Sequence, residues 1–278
     1  RGFSLMKNAI MPIDKVEIVG LCDLYNDRCE RAASYVKEKT GRRPVTSLDY
    51  RHLLETLRPD AALIATGWDT HVELLLFCME AGIPAAVEVG GAFSLKECWA
   101  LVDTYERTHT PVMLMENCCF GKAEMLVTSM ARAGVFGKVV HCSGAYAHDL
   151  REEILTGEEN RHYRLGFYKK YNCDNYPTHD LGPIAKLLGI NRGNRMVSLV
   201  SVASGSWGLK EYVEFHKDRI NPNRIGEEYR QGDIVNTIIT CEGGETISLR
   251  LDTTLPRTYN REFTVRGTRG PGTPGISL

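Results

Sequence analysis

Ala61-Ala62-Leu63-Ile64-Ala65-Thr66, followed by Gly67-Trp68-Asp69-Thr70-His71, decides the fold. The first six residues form a short apolar run with the length of a buried strand. The spacing after them predicts a helix over residues 70–81, stopped by Gly82 and Pro84. Ala85-Ala86-Val87-Glu88-Val89 is then a second strand of the same kind. Two short apolar strands joined through one helix make a parallel pair with a right-handed crossover. The pattern repeats outward on both sides. Before it come a helix-like remnant at residues 5–10, a strand at 16–21 ending on Cys22-Asp23, and a periodic helix over 27–39 closed by Gly41. After it, Ser94 with Glu97 three residues on forms a capping box for a helix to about residue 107, and residues 112–115 are a further strand. The first half is therefore α/β, a Rossmann-type doubly wound parallel sheet.

Such a sheet binds ligands where loops leave the carboxyl ends of its strands. The polar residues at those ends are Asp23, Trp68, Asp69, His71, Glu88, Glu116 and Asn117. An Asp at the end of the second strand supplies the rigid acceptor oxygens that a ribose diol needs, and its charge disfavours a 2′-phosphate. Arg1-Gly2 precedes Asp23 by about 20 residues, the usual gap between a dinucleotide-binding glycine loop and its acid. Gly2 is thus expected to be the last glycine of that loop, with the first strand missing from this sequence.

The 278 residues are 43% hydrophobic and 25% charged with a net charge of −1, which gives no electrostatic case for nucleic acid or an anionic membrane. No apolar run approaches the ~20 residues of a membrane helix, and no signal peptide is visible, so the composition reads as cytoplasmic. The chain begins without Met and reads as cut at its front. Nine cysteines, odd in number and scattered without a C-x-x-C pair, read as reduced thiols, and no metal site is expected.

After Asn117 the pattern changes. A helix over about 120–133 leads to a strand at 138–146, and later strands fall at 196–204, 234–241, 246–252 and 262–266, with Gly243-Gly244 as a hairpin turn. Strands in succession with few helices between them predict an α+β domain with an open, mostly antiparallel sheet. Residues 152–175 are polar, aromatic and poorly periodic, a long connection. Beyond them stands Tyr176-Pro177-Thr178-His179-Asp180. Pro177 suits the first turn of a helix, which would put His179 in that turn, where the backbone N–H groups favour a neutral imidazole able to accept a proton. Capping and packing alone remain the alternative role for this motif.

The motifs Trp68-Asp69-Thr70-His71, Glu88-Val89, Glu116-Asn117-Cys118-Cys119, Gly144-Ala145-Tyr146-Ala147-His148-Asp149-Leu150-Arg151, Tyr176-Pro177-Thr178-His179 and Ile190-Asn191-Arg192-Gly193 carry a family resemblance. The chain resembles the Gfo/Idh/MocA oxidoreductases and, within them, the glycoside hydrolase family 109 branch of NAD-dependent α-N-acetylgalactosaminidases. The resemblance implies residues 1–120 as an NAD-binding Rossmann-like domain, amino-terminally truncated, and 121–270 as a substrate-binding domain, with 271–278 an irregular tail. It places Asp23, Trp68, Asp69, Thr70, His71, Glu88, Val89, Asn117 and Tyr176 on NAD, beside Arg1 and Gly2 from the loop. It places Tyr146, Arg164, Tyr176, Pro177, Thr178, His179 and Tyr259 around the sugar. Tyr146 and His179 are the expected acid–base pair, with His148 a supporting partner. The wider family has Glu-Lys-Pro where this chain has Glu88-Val89-Gly90, and the absent Lys argues against an ordinary sugar dehydrogenase.

The chemistry this implies is transient oxidation at C3 of the sugar, loss of the acidified C2 proton, elimination of the C1 substituent, water addition and return of the hydride. NAD-dependent glycosidases are a known exception to the two-carboxylate scheme. A net dehydrogenase for a sugar or cyclitol and an inactive NAD-binding sensor remain the alternatives. The expected partners are a small sugar substrate and a second copy of the chain through the open sheet, with no nucleic acid and no membrane. If Asp23 reads the ribose, Asp23→Ser will narrow the preference for NAD over NADP, measured as the ratio of the two dissociation constants. An unchanged ratio would remove Asp23 from the site.

Overall fold

The structure, a computed structural model, describes residues 1–273 of the chain. It divides into two compact units, with the boundary between Met115 and Glu116.

In the first unit, α1 (Gly2–Leu5) runs on through a wider turn at Met6–Ile10. Then come β1 (Gly20–Cys22), α2 (Asn26–Thr40), β2 (Val45–Ser47), α3 (Tyr50–Leu57), β3 (Ala62–Ile64), α4 (His71–Glu80), β4 (Ala85–Val87), α5 (Leu95–Thr108) and β5 (Val112–Leu114). Every strand pair is parallel, as the crossover argument requires. Local chemistry sets the helix ends. Gly41 closes α2 at φ 75°, and Asp49 accepts the N–H groups of Arg51 and His52 to start α3. Ser94 Oγ accepts the Glu97 N–H at 3.2 Å, while Glu97 Oε2 accepts that of Phe93 at 2.7 Å, so the capping box is present. Ile64, Leu74, Leu75, Cys78, Ile83, Ala85 and Val87 form the buried core between β3, β4 and α4.

Two sequence expectations change. β1 begins at Gly20 and not at residue 16, although Val19 still accepts a hydrogen bond from Val45. The three-residue β2 escapes the sequence reading because so short a strand shows no period, and the eight-residue α3 spans only about two turns. The parallel strands form two separate pieces, β1-β2 and β3-β4-β5.

The second unit holds α6 (Lys122–Arg132), β6 (Val139–Ala147), α7 (Arg151–Leu155), α8 (Arg164–Lys170), α9 (Thr178–Leu188), β7 (Met196–Ala203), α10 (Gly208–Phe215), β8 (Ile234–Cys241), β9 (Thr246–Asp252), β10 (Thr264–Gly267) and β11 (Gly270–Gly272). Its sheet has the order β11-β10-β6-β9-β8-β7, with β6 and β9 parallel and the other neighbours antiparallel. Along β8 the side chains alternate between exposed and buried, so one face is covered and the other open. The covered face meets α6 and α9 through Val127, Cys142, Ile184, Ile239, Ile247 and Val265.

Three corrections follow. Residues 152–175 are not one irregular connection: they carry part of α7 and all of α8, whose Ile154, Leu155, Leu165 and Tyr168 are buried, and helices of five and seven residues are too short to display a period. Residues 271 and 272, expected in an irregular tail, belong to β11, paired to β10; 274–278 lie outside the described residues. Pro177 is the residue before α9 rather than within it, and Thr178 opens the helix.

The first turn of α9 lies against β6 at Gly144. A Cβ on Gly144 would fall 2.7 Å from Asp180 Cβ and 3.4 Å from Asp180 Cα, so a larger residue must push the helix away. Gly144→Ala is expected to destabilise the protein by about 1–3 kcal/mol, the range for overpacking, measured by denaturant unfolding. A change below about 0.5 kcal/mol would show that this contact yields easily.

Candidate functional site

In the first unit the expected residues do gather at strand ends. Asp23 follows β1, and its Oδ1 accepts the Tyr25 N–H at 3.1 Å, which fixes the carboxylate as a ribose-binding acid requires. Trp68, Asp69 and Thr70 make a single tight turn after β3, and His71 opens α4. Trp68 and His71 are fully buried. His71 Nε2 lies 3.2 Å from the Thr66 carbonyl and carries its proton there. Burial holds this imidazole below its ordinary range, against the pull of the Thr66 carbonyl and of Glu88, so the ring is neutral. Gly90 packs on both rings: a Cβ there would sit 2.4 Å from Trp68 Cδ1 and 2.9 Å from His71 Nδ1, at a φ of 150°. The departure to Glu88-Val89-Gly90 thus has a packing cause. Arg1 Nε donates to Glu88 Oε1 at 2.8 Å, and the Val89 N–H donates to Glu88 Oε2. These two expected cofactor residues are therefore bonded to each other. A strand-end carboxylate held by the Tyr25 N–H fits the ribose of a nicotinamide dinucleotide. Asn117 and Tyr176, assigned to the cofactor by resemblance, belong to the second unit.

The second unit builds an aromatic cluster. Tyr146 comes near the end of β6, Tyr176 and His179 flank the start of α9, and Tyr259 comes from the loop after β9. The Tyr146 and Tyr176 ring centroids are 4.3 Å apart, and His179 stands edge-on to both, at 5.6 and 4.9 Å. Tyr259 closes on Tyr146 at 6.5 Å and on His148 at 5.1 Å. Arg164, the first residue of α8, lies over the Tyr176 ring with its guanidinium carbon 5.0 Å from the centroid, and its Nε is 2.9 Å from Glu153 Oε1. Pro177 and Thr178 serve as the cap and first residue of α9, between Tyr176 and His179.

Glu116 is the residue whose role the sequence reading missed. It is buried, and both of its carboxylate oxygens lie 2.9 Å from His179 Nδ1, while Oε1 also accepts the Cys118 N–H at 2.8 Å. The Nδ1 proton must point at the carboxylate, which leaves Nε2 as the nitrogen able to accept a proton. Burial pushes the Glu116 carboxyl up, but the His179 hydrogen bond and charge pull harder and set it below the ordinary range. Sequence spacing could not show a pair 63 positions apart; the only signal was a carboxylate at a strand end. Among the described residues, Glu116, Cys118 and His179 bring ligand-type atoms within 4.8 Å of one another. Burial first, with the nearby Glu116 charge, pushes the Cys118 thiol up to about 12, and the Glu116 oxygens are already engaged. The trio reads as a hydrogen-bonded group rather than a ligand set.

Two further carboxyls flank the motif. Asp180 is buried and pushed up to about 8, and Asp174 is pushed up to about 6, in both cases chiefly by burial.

The chain thus joins a Rossmann-type parallel-sheet unit to a unit built on an open, mostly antiparallel sheet. Residues 4–116 match the oxidoreductase family with an NAD-binding Rossmann fold, and residues 120–272 match the C-terminal domain of glycosyl hydrolase 109. The chain belongs to glycosyl hydrolase family 109. It is 35% identical over 268 residues to glycosyl hydrolase family 109 protein 2 of Phocaeicola vulgatus, covering 94% of this chain and 64% of that one. It is also 35% identical over 267 residues to an alpha-N-acetylgalactosaminidase of Bacteroides fragilis, covering 94% and 63%. The chain thus spans less than two thirds of the length of these relatives. The myo-inositol 2-dehydrogenase of Lactobacillus plantarum shares the fold, with a TM-score of 0.69 at 14% identity over 94% of this chain and 69% of that one.

The raised carboxyls give a signed pH effect. Asp180 unfolded titrates near 3.9. The folded state therefore binds the extra proton between that value and about 8, and stability falls as pH rises through the interval. Asp180→Asn is expected to melt on the order of a few degrees above the parent at pH 9 and close to it at pH 4, by thermal unfolding. Equal differences at both pH values would mean that Asp180 is not held protonated.

Proposed function

We propose that the protein is an NAD-dependent glycosidase acting on N-acetylhexosaminides. The observation that carries this reading is the His179–Glu116 pair set against the closely packed, mutually tilted rings of Tyr146 and Tyr176. It provides one nitrogen base of fixed tautomer and one phenol, on adjoining elements. Family membership supports it, as does the name of the Bacteroides fragilis relative. NAD, when bound, would accept a hydride from C3 of the sugar and return it at the end of the cycle. Asp23, Trp68 to His71 and Val89 would hold it.

The protein's own groups handle protons and position. His179 Nε2 accepts a proton from the sugar, and Glu116 stabilises the imidazolium that results. Tyr146 exchanges the second proton, so that the pair serves C2 and C3 between them. The aromatic rings give the sugar an apolar wall, and the Arg164 guanidinium lies over the Tyr176 ring. Elimination of the C1 substituent and addition of water then need no nucleophilic carboxylate.

The competing reading, a net sugar dehydrogenase, lacks the Lys at position 89 that its resemblance would require. Aryl N-acetylhexosaminides incubated with the protein and NAD distinguish the two. The glycosidase releases phenol with no net build-up of reduced nicotinamide; stoichiometric build-up marks a dehydrogenase, and neither signal over the whole panel sinks both. His179→Asn should lower turnover by about 10²–10⁴-fold. Glu116→Gln should lower it by about 10–100-fold with cofactor affinity unchanged. Full activity per folded molecule in His179→Asn would reduce the motif to helix capping.

A further inference from the structure

Tyr146 is buried, and burial holds its phenol far above the usual range; neighbouring Tyr176 and Tyr168 add to this, and only Arg164 pulls the other way. Such a phenol does not ionise near neutral pH. An acid–base role nevertheless requires that each proton it takes be matched by one it gives, and the buried ring has little contact with water through which to do so.

His148 answers that need. It lies two positions further along the chain, one residue past the end of β6. Its Nδ1 is 3.4 Å from Tyr146 Oη, with the two rings nearly perpendicular at 82°. The His148 N–H donates to the Asp252 carbonyl at 2.9 Å, which ties its backbone to the end of β9. Unlike Tyr146 the residue is only partly buried. The groups that act on it are Glu153 from α7, Arg164 from α8 and Asp149 beside it, with the Tyr259 ring packed edge-on at 5.1 Å. Burial is the largest influence and sets the ring below its ordinary range; Glu153 and Asp149 raise it and Arg164 lowers it. It is neutral at pH 7 and offers a lone pair.

We propose that His148 is the proton relay of Tyr146, connecting the buried phenol to solvent. The inference rests on the glycosidase reading, in which Tyr146 exchanges a proton with the sugar. As Tyr146 Oη gains a proton from the substrate, its original O–H bond breaks and that proton passes to His148 Nδ1. The imidazolium then releases the proton on Nε2 to water. The phenol ends neutral, one proton has moved from substrate to solvent, and the reverse sequence delivers one to a leaving group. His148 does not touch the sugar in this scheme; it acts through Tyr146.

The pairing is tested in the resting protein by proton NMR titration of the histidine rings, with His148 assigned by the resonance that disappears in His148→Asn. The His148 midpoint should lie below about 6.5 and rise in Tyr146→Phe, which keeps the ring and removes the hydroxyl. A midpoint that does not move overturns the relay, whatever the protein acts on. In kinetics, His148→Asn retains an acceptor near Nδ1 but cannot titrate. It should lower turnover of the aryl glycoside by about tenfold or more, flatten the acid limb of the pH–rate profile and be rescued by added imidazole, with thermal unfolding unchanged. A slower variant with the parental pH profile and no rescue would show packing alone and overturn the proposal. A parent protein that releases no phenol from any glycoside would instead sink the glycosidase reading, while the titration still decides the pairing.

Discussion

The second unit depends on how closely the first turn of α9 can approach its neighbours. At Gly144 the strand β6 has no side chain toward Asp180, and at Gly182 the helix has none toward Glu116, whose Cγ would lie 2.8 Å from an added Cβ. A glycine in a helix interior costs about 1 kcal/mol against alanine, and Pro183 beside it removes a main-chain donor that would have bonded the His179 carbonyl. α9 is a poor helix by local preference. It persists because Ile184 and its partly buried neighbours pack on the sheet, and because the small residue at 182 lets Glu116 reach beneath the helix to His179.

That reach determines the chemistry. A buried carboxylate without a partner is costly, and Glu116 is compensated by an imidazole and a backbone N–H together. The same two bonds orient His179. Neither partner can be removed without costing the other its side-chain hydrogen bond. Asp180 and Asp174 show the opposite solution: burial without a cation keeps their carboxyls protonated well into the range where exposed carboxyls are charged.

The first unit follows a different logic. Its strands are three residues long and its register comes from crossover helices, so the geometry of the strand ends is set by loops: Tyr25 N–H on Asp23, the Thr66 carbonyl on His71, and Gly90 against Trp68. The replacement of a Pro by Gly90 is a packing consequence of two buried rings, and only a residue without a Cβ can approach them so closely.

The sequence by itself determined what depends on near neighbours in the chain. Helix periods and caps at Ser94, the main strands after Asn117, the strand-end position of Asp23 and the composite motif from Tyr176 to His179 were legible, because each rests on residues within about one turn or one strand of each other. Short elements such as β2, α7 and α8 were not, since too few residues repeat. Only the tertiary structure decided the partners: Glu116 with His179, His148 with Tyr146, Arg164 with Tyr176 and Arg1 with Glu88. Most of these pairs join residues on separate elements. Even Tyr146 and His148, two positions apart, need the end of a strand and the Tyr259 loop to set their rings. The side chains acquire their chemistry from distance and burial, and those quantities exist only once the sheet and helices have packed.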